Sequence, residues 1–314
     1  MTTFVLFLDD ASRHVGSINA ALAEQTVITL IATLRSIKKL NSKIALNTAC
    51  SIAQYQISDQ VTLQMILKGN KFREEWDFIR QLSDRSPFSR DFDDELAQEI
   101  SELEFRTRPG QVLSRALAWA TLMNTAIVSL DAHPDWSKAW VDTSLTKLDE
   151  VGNIVESDGR VRNASQIHHA DEHQEWLKIL GLAPAPTATQ MWAEKDIYFK
   201  GLRFLPRVEK DLETLERGAM PFSQAFATLK ALSKDAEDWE QNNSWPEFSN
   251  YATPEASQRQ KLCFAVDEMT GKEELFDWHV RFTGGVAGRI HFRVDVPNRL
   301  FVVAYVGGKL TRKI

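Results

Sequence analysis

The chain has 314 residues, of which 43% are hydrophobic and 25% charged, with a formal net charge of −6. These fractions are typical of a folded soluble protein, and the length exceeds what one core usually serves, so we expect two domains. The start lacks the basic leader of a signal peptide, and no apolar run approaches the roughly 18 to 20 residues of a membrane span. Cys50 and Cys263 are far apart in sequence, which predicts reduced thiols and a cytoplasmic location. The lack of a long apolar run predicts no membrane role.

The first 185 residues predict an α/β body. An apolar run at 4–8 that ends in Asp9 and Asp10 indicates a buried strand. Periodicity then predicts helices over 17–39, 61–68, 72–82, 115–123 and 166–182, and strands over 43–48 and 125–130. Residues 85–94 are expected to form a charged loop, and Asp158-Gly159 is typical of a hairpin turn.

A linker is predicted at Ala183–Thr187, because two prolines among small residues cannot continue a helix. It divides the chain into residues 1–185 and 186–314. The second part begins with helices over 209–216 and 222–240 and ends in three predicted strands. The fold class is therefore α+β, with an α/β body followed by helices that lead into an antiparallel sheet.

The closing strands alternate strictly between apolar and polar residues. Strands predicted over 276–282 and 289–295 each bury one face, and the next strand, over 299–306, is apolar enough to be central. If the three pair as a meander, two histidines and three arginines share one polar face: His279, Arg281, Arg289, His291 and Arg293. The segment 271–314 carries a net charge of +4 and the rest of the chain −10, which is typical of a basic module on an acidic body.

Such a face suits chemistry on a phosphodiester. Histidine transfers protons near neutral pH, as cleavage of RNA through its 2′-hydroxyl requires. Arginine binds phosphate oxygens through two parallel hydrogen bonds. The same pattern also fits a sheet whose outer face is simply polar.

The segments Gly288–Asp295 and Phe301–Lys309 resemble the closing strands of the RelE/ParE superfamily of bacterial toxins, over about the last fifth of the chain. The resemblance implies a helical hairpin packed on a small sheet, Arg289 as the phosphate-binding arginine, and Lys309 as the basic residue after the last strand. Relatives often have histidine where this chain has Gly308. The proton-transfer role would then pass to His279 or His291.

The leading hypothesis is a metal-independent ribonuclease without a cofactor, acting as a toxin or phage-defence effector. Its partners would be RNA or another nucleic acid and a protein, either an antitoxin or a defence subunit. The predicted catalytic residues are His279, His291, Arg289 and Lys309, and the predicted nucleic-acid contacts are Arg281, Arg293, Arg299, Arg312 and Lys313. The alternatives are a non-catalytic subunit that binds nucleic acid or a partner, and a metal-dependent nuclease in the body.

Two other patterns bear on metal binding. His169-Ala-Asp-Glu-His173 matches the inverted zinc-protease motif, although a solvated helix face accounts for it as well. Four aspartates follow two predicted strands, where α/β sheets place ligands and where a nuclease of PIN-like arrangement would bind Mg²⁺: Asp9, Asp10, Asp131 and Asp135.

Overall fold

A computed structural model describes residues 4–83, 100–148, 152–181, 186–217, 222–240, 243–282 and 288–314. The predicted loop at 85–94 and most of the predicted linker lie outside these residues. The chain forms two compact units, residues 1–181 and 182–314. Mixed sheets with helices in both units confirm the α+β class.

The first unit is a six-stranded sheet with helices. Its strands are β1 (Phe4–Leu8), β2 (Ile44–Thr48), β3 (Leu103–Thr107), β4 (Ala126–Val128), β5 (Trp140–Leu148) and β6 (Ile154–Ala164). Its described helices are α1 (Ala20–Leu40), α2 (Leu63–Leu67), α3 (Arg73–Leu82), α4 (Arg115–Leu122), α5 (Ile167–Glu172) and α6 (Gln174–Gly181).

The order of strands is β2-β1-β4-β6-β5-β3. The first four are parallel, and β5 and β3 extend the sheet in antiparallel pairs. From β1 the chain continues to β2, its neighbour on one side, whereas β4, its neighbour on the other side, is reached from β3. A crevice at the carboxyl ends of β1 and β4 is the usual ligand position in such a sheet.

The predicted hairpin turn at Asp158-Gly159 is wrong. Both residues lie inside β6, where they pair with Ser144 and Thr143 of β5. The hairpin joins β5 to β6. The sequence did not predict β5, because its many polar residues obscure the alternation of apolar and polar positions. The helix predicted over 166–182 is also divided into α5 and α6 at His173.

Helix α1 is long and apolar enough to cross a membrane, and it is the only such helix among the described residues. Eight of its residues are buried, including Val27, Leu30, Ile31 and Leu34. It packs within the first unit against α2, α5 and α6. A core helix of a soluble protein accounts for these contacts.

The second unit has a five-stranded sheet of order β7-β13-β12-β11-β8 and a separate β9-β10 hairpin. The strands are β7 (Leu202–Phe204), β8 (Ala252–Pro254), β9 (Phe264–Asp267), β10 (Lys272–Leu275), β11 (Trp278–Phe282), β12 (Gly288–Asp295) and β13 (Leu300–Gly307). The helices are α7 (Ala188–Ala193), α8 (Lys195–Tyr198), α9 (Arg207–Arg217) and α10 (Phe222–Glu237). The predicted meander of β11, β12 and β13 is confirmed, and β13 is an interior strand between β12 and the short parallel strand β7.

The two faces of this sheet are both covered. Helix α10 packs on the apolar face, where Phe248, Phe292 and Phe301 form an aromatic cluster. On the other face, Ala265 of β9 and Phe276 pack with Val302 in a small apolar core. We call residues 255–277 the cover segment, since its side chains lie over the face that carries the histidines.

Asp267 connects the cover segment to the sheet. Its carboxylate is fully buried and accepts hydrogen bonds from Arg203 of β7 and from Arg293 of β12, the latter at 2.7 Å. Burial by itself would raise the pKa of Asp267, but the bonds from the two guanidinium groups outweigh it and lower the pKa. The ion pairs thus compensate for the burial of charge.

We expect Asp267→Ala to lower the free energy of unfolding by about 3 kcal/mol at pH 7, because two poorly solvated guanidinium groups lose their counterion. Glu268→Ala is the matched control, since Glu268 pairs with the same Arg203 but is 41% exposed, and it should cost under about 1 kcal/mol. Urea titration measures both. Equal losses in the two variants would contradict the assigned role.

Candidate functional site on the C-terminal sheet

The register of β11 and β12 brings the predicted site residues together. His279 pairs with His291, and Arg281 pairs with Arg289, in adjacent antiparallel positions. The two imidazole rings are stacked with their centroids 5.2 Å apart. The prediction that these four side chains share one face is therefore confirmed, because residues two apart on a strand point to the same side.

A face that acts on a phosphodiester must be accessible, and this face is not. His279 and His291 are 3% and 0% exposed, and Arg281 and Arg289 are 5% and 7% exposed. The cover segment accounts for this burial: the Cys263 sulfur lies 3.8 Å from Nδ1 of His291. Strand alternation identifies a polar face, but it does not reveal a cover built from residues elsewhere in the chain.

Burial sets the protonation of both histidines. Desolvation lowers the pKa of His279 well below its usual value, and the positive charges of His291, Arg281 and Arg289 lower it further. The backbone of Asp277 acts in the opposite direction and raises the pKa of His279, although no hydrogen bond of normal geometry joins it to the ring. Desolvation, followed by the charge of Arg289, lowers the pKa of His291 to about 3. Both shifts favour the neutral form of the rings at neutral pH, and a neutral imidazole is a poor general acid.

Several buried polar atoms at this face have no hydrogen-bond partner among the described residues. They are Nδ1 and Nε2 of His279, Nε2 of His291 and Oε2 of Glu255. Leaving one such group unsatisfied costs about 1 to 3 kcal/mol. Atoms from three separate segments share this condition at one place, and their ligand positions lie within 4.8 Å of one another.

The remaining predicted residues do not join this group of four, although Arg293 lies on the same face, two residues after His291. Arg293 is occupied by Asp267 and also lies 3.7 Å from Asp295. Arg299 donates to the backbone carbonyls of Trp239 and Glu240, and Lys313 pairs with Glu273. Lys309 is half-buried and Arg312 is exposed, both beyond the end of β13.

Arginine side chains lie near Tyr305 at the end of β13, and one of them, Arg207, was not indicated by the sequence. Burial, followed by Asp211, raises the pKa of the phenol, and three guanidinium groups close enough to act on it lower the pKa: Arg207, Arg289 and Arg312. The Arg207 guanidinium lies 5.3 Å from the centre of the Tyr305 ring. Arg207 comes from α9, 82 residues before Arg289 and 98 before Tyr305. No local pattern could have placed it there.

Asp9 is the centre of a polar network at the carboxyl end of β1. Its carboxylate accepts hydrogen bonds from Ser114 Oγ (2.8 Å), Trp136 Nε1 (2.9 Å) and the Ala11 backbone N–H (3.0 Å). Its backbone carbonyl accepts one from the Tyr55 hydroxyl. Burial raises the pKa of Asp9 to about 6, and the donors from Ser114 and Trp136 offset only part of that shift.

Two of the other predicted metal ligands of the body are also engaged. Asp135 accepts from the Thr107 hydroxyl and the Gly110 N–H, and Asp131 accepts from Ser137 and Gln166. Within the described residues, the four aspartates do not form a group with ligand atoms within 4.8 Å of one another. The geometry does not favour a Mg²⁺ site there.

The histidines of the zinc-protease pattern are not on a solvated helix face. His169 and His173 are both buried, and α5 ends between them. His169 Nδ1 accepts from the Ser165 backbone N–H, and His173 Nε2 lies 2.8 Å from the Ala139 carbonyl oxygen. Each ring is held by its own local contact.

Comparisons with protein-family models, curated proteins and solved structures gave no match. The RelE/ParE resemblance of the closing strands stays a prediction. The site is therefore interpreted from its own geometry.

We expect the unfolding free energy of the native protein to fall by about 2 kcal/mol, through Asp9 alone, as pH rises from 4 to 8. The folded pKa is raised, so this stability is present below the unfolded pKa of 3.8 and is lost as pH passes about 6. In Asp9→Asn the contribution is absent. The native-minus-variant difference, measured by urea titration, should fall over that window.

Ser114→Ala is the matched control for this experiment. It removes one donor to the Asp9 carboxylate and keeps the titrating group, so the pH window should move upward. A native-minus-Asn difference that stays constant from pH 4 to 8 would show that Asp9 does not titrate as described.

Proposed function

We propose that the second unit binds the phosphodiester backbone of RNA at the carboxyl end of β13. The observation that carries the proposal is a set of arginines near the end of β13: Arg207 lies 5.3 Å from the centre of the Tyr305 ring, Arg289 pairs with Gly307 in the sheet, and exposed Arg312 follows the strand. Arginine is suited to this role because its planar donors match phosphate oxygens. Phosphate contacts supply most of the affinity of non-specific nucleic-acid binding.

The accessible part of this group forms what we call the basic rim: Arg207, Tyr305 and Arg312. Arg312 is exposed, and the Arg207 side chain is 38% exposed while pairing with Asp211 at 3.4 Å. A β-carbon added at Gly308 would meet nothing within 4 Å, so the backbone beside the rim is open. Buried Arg289 lies beneath it. A phosphate at the rim would meet several cations and one acid.

Metal-independent cleavage of RNA is the second candidate, and the stacked pair of His279 and His291 favours it. Cleavage also needs a group that returns a proton to the leaving oxygen. The lowered pKa values of both rings weigh against that role at neutral pH. Binding at the basic rim, unlike cleavage, does not require either histidine to transfer a proton.

The proposal keeps the predicted setting of the protein. Cys50 and Cys263 are free thiols, in agreement with the reducing cytoplasm. The two helices α9 and α10 precede the antiparallel strands, as the RelE/ParE resemblance implies. A role as a toxin or phage-defence effector, with an antitoxin or defence subunit as partner, remains part of the proposal.

Salt dependence tests the binding proposal. The double variant Arg207→Gln, Arg312→Gln should bind single-stranded RNA more weakly and lower the slope of log affinity against log salt by about 1.4, since each phosphate contact contributes about 0.7. Fluorescence anisotropy in EDTA measures it. Lys234→Gln on α10, whose lysine is 68% exposed, should leave the slope unchanged. Equal slopes in all three proteins would end the proposal.

Incubation of labelled RNA with the protein, with and without EDTA, tests the second candidate. Metal-free cleavage predicts the same products in both conditions and a loss of activity of at least about 100-fold in Arg289→Ala. Arg293→Ala is the comparison variant, since its guanidinium is held by Asp267. Loss of activity in EDTA, or intact RNA in both conditions, would reject metal-free cleavage while leaving the binding proposal to its own test.

A further inference from the structure

Three buried side chains of the second unit, Glu255, His279 and His291, each offer one ligand atom, and these atoms lie within 4.8 Å of one another. They are the only group of three or more such residues among those the structure describes. We propose that Glu255, His279 and His291 bind one divalent transition-metal ion, with Zn²⁺ as the best fit. Nothing in the sequence pattern indicated this site, because Glu255 comes from the cover segment.

The unpartnered atoms point to a ligand. Both ring nitrogens of His279, Nε2 of His291 and Oε2 of Glu255 are buried and have no hydrogen-bond partner in the described part of the chain. Buried polar atoms are normally satisfied, so each exception requires an explanation. A single cation would satisfy one atom from each of the three residues.

The other atoms of two of these ligands are already held. Nδ1 of His291 lies 3.8 Å from the sulfur of Cys263, and Oε1 of Glu255 accepts a hydrogen bond from Arg259 Nε at 3.1 Å. Metal-binding histidines and carboxylates usually have such outer partners, which fix the orientation of the ligand. Here the partners leave Nε2 and Oε2 for the ion.

The ligand set decides the class of metal. Two imidazoles and one carboxylate are typical of Zn²⁺ sites that keep an open position, and of non-haem Fe²⁺ sites. Mg²⁺ and Ca²⁺ prefer oxygen ligands and fit two histidines poorly. Glu255 supplies the only negative charge of the three ligands, so a bound divalent ion would leave the site positive.

The nearby arginines then favour an anion at the open position. Arg281 and Arg289 act electrostatically on His279, so they lie close to the proposed ion. A small anion at the open position would meet both the metal and the guanidinium groups. The metal site itself does not depend on it.

Metal titration of the untagged full-length chain tests the inference. After dialysis against a chelator, the protein should bind one equivalent of Zn²⁺ in competition with a chromophoric chelator. Glu255→Gln and His279→Gln should each weaken the affinity by at least about 100-fold, beyond the loss expected from an outer-shell partner. Zn²⁺ should raise the melting temperature of the native chain and leave that of both variants unchanged.

Two matched variants separate this site from surface binding. Glu268→Gln and His168→Asn change an exposed carboxylate and an exposed histidine, and both should bind Zn²⁺ as the native chain does. Circular dichroism establishes that the ligand variants fold. The inference is overturned if the native chain binds no equivalent of Zn²⁺, Fe²⁺ or Mn²⁺, or if Glu255→Gln and His279→Gln keep native affinity. Because RNA binding is measured in EDTA, the two proposals fail independently.

Discussion

The antiparallel pairing of β11 with β12 determines the chemistry of the second unit. It sets His279 against His291 and Arg281 against Arg289, so four basic side chains meet on one face. A free strand pair would leave them in water, where their charges would cost little. Here the cover segment buries them, and desolvation keeps both rings neutral. Every other property of the site follows from that combination of convergence and burial.

The cover segment compensates for part of this burial and leaves another part uncompensated. Asp267 supplies a carboxylate to Arg203 and Arg293, so that end of the face is electrostatically closed. At the other end, Glu255 binds Arg259 through one oxygen, while its second oxygen, close to the histidines, has no partner among the residues that the structure describes. Structural ion pairs satisfy their members. The end of the face at Asp267 is therefore structural, whereas the end at Glu255 is suited to a ligand.

The sequence predicted those features of the fold that depend on residues close together in the chain. Period-two alternation placed His279 and His291 on one face, and an apolar run identified β13 as a central strand. It could not predict the cover, because Glu255 and Cys263 reach the histidines from other segments, nor could it place Arg207 beside Tyr305. Asp158-Gly159 was misread for the same reason: its partners in β5 outweigh the turn preference of the pair.

The same distinction decides between the two units as the place of chemistry. The first unit has the strand order in which α/β sheets bind ligands, yet Asp9 gives its carboxylate to three donors, and Asp131 and Asp135 are held by side chains or backbone. Its acidic groups hold the ends of strands and loops together. In the second unit, buried polar atoms of three residues meet without partners among the described residues. An acidic residue or histidine therefore indicates a ligand site only when its polar atoms lack other hydrogen-bond partners. This criterion favours the C-terminal sheet as the place where a ligand binds.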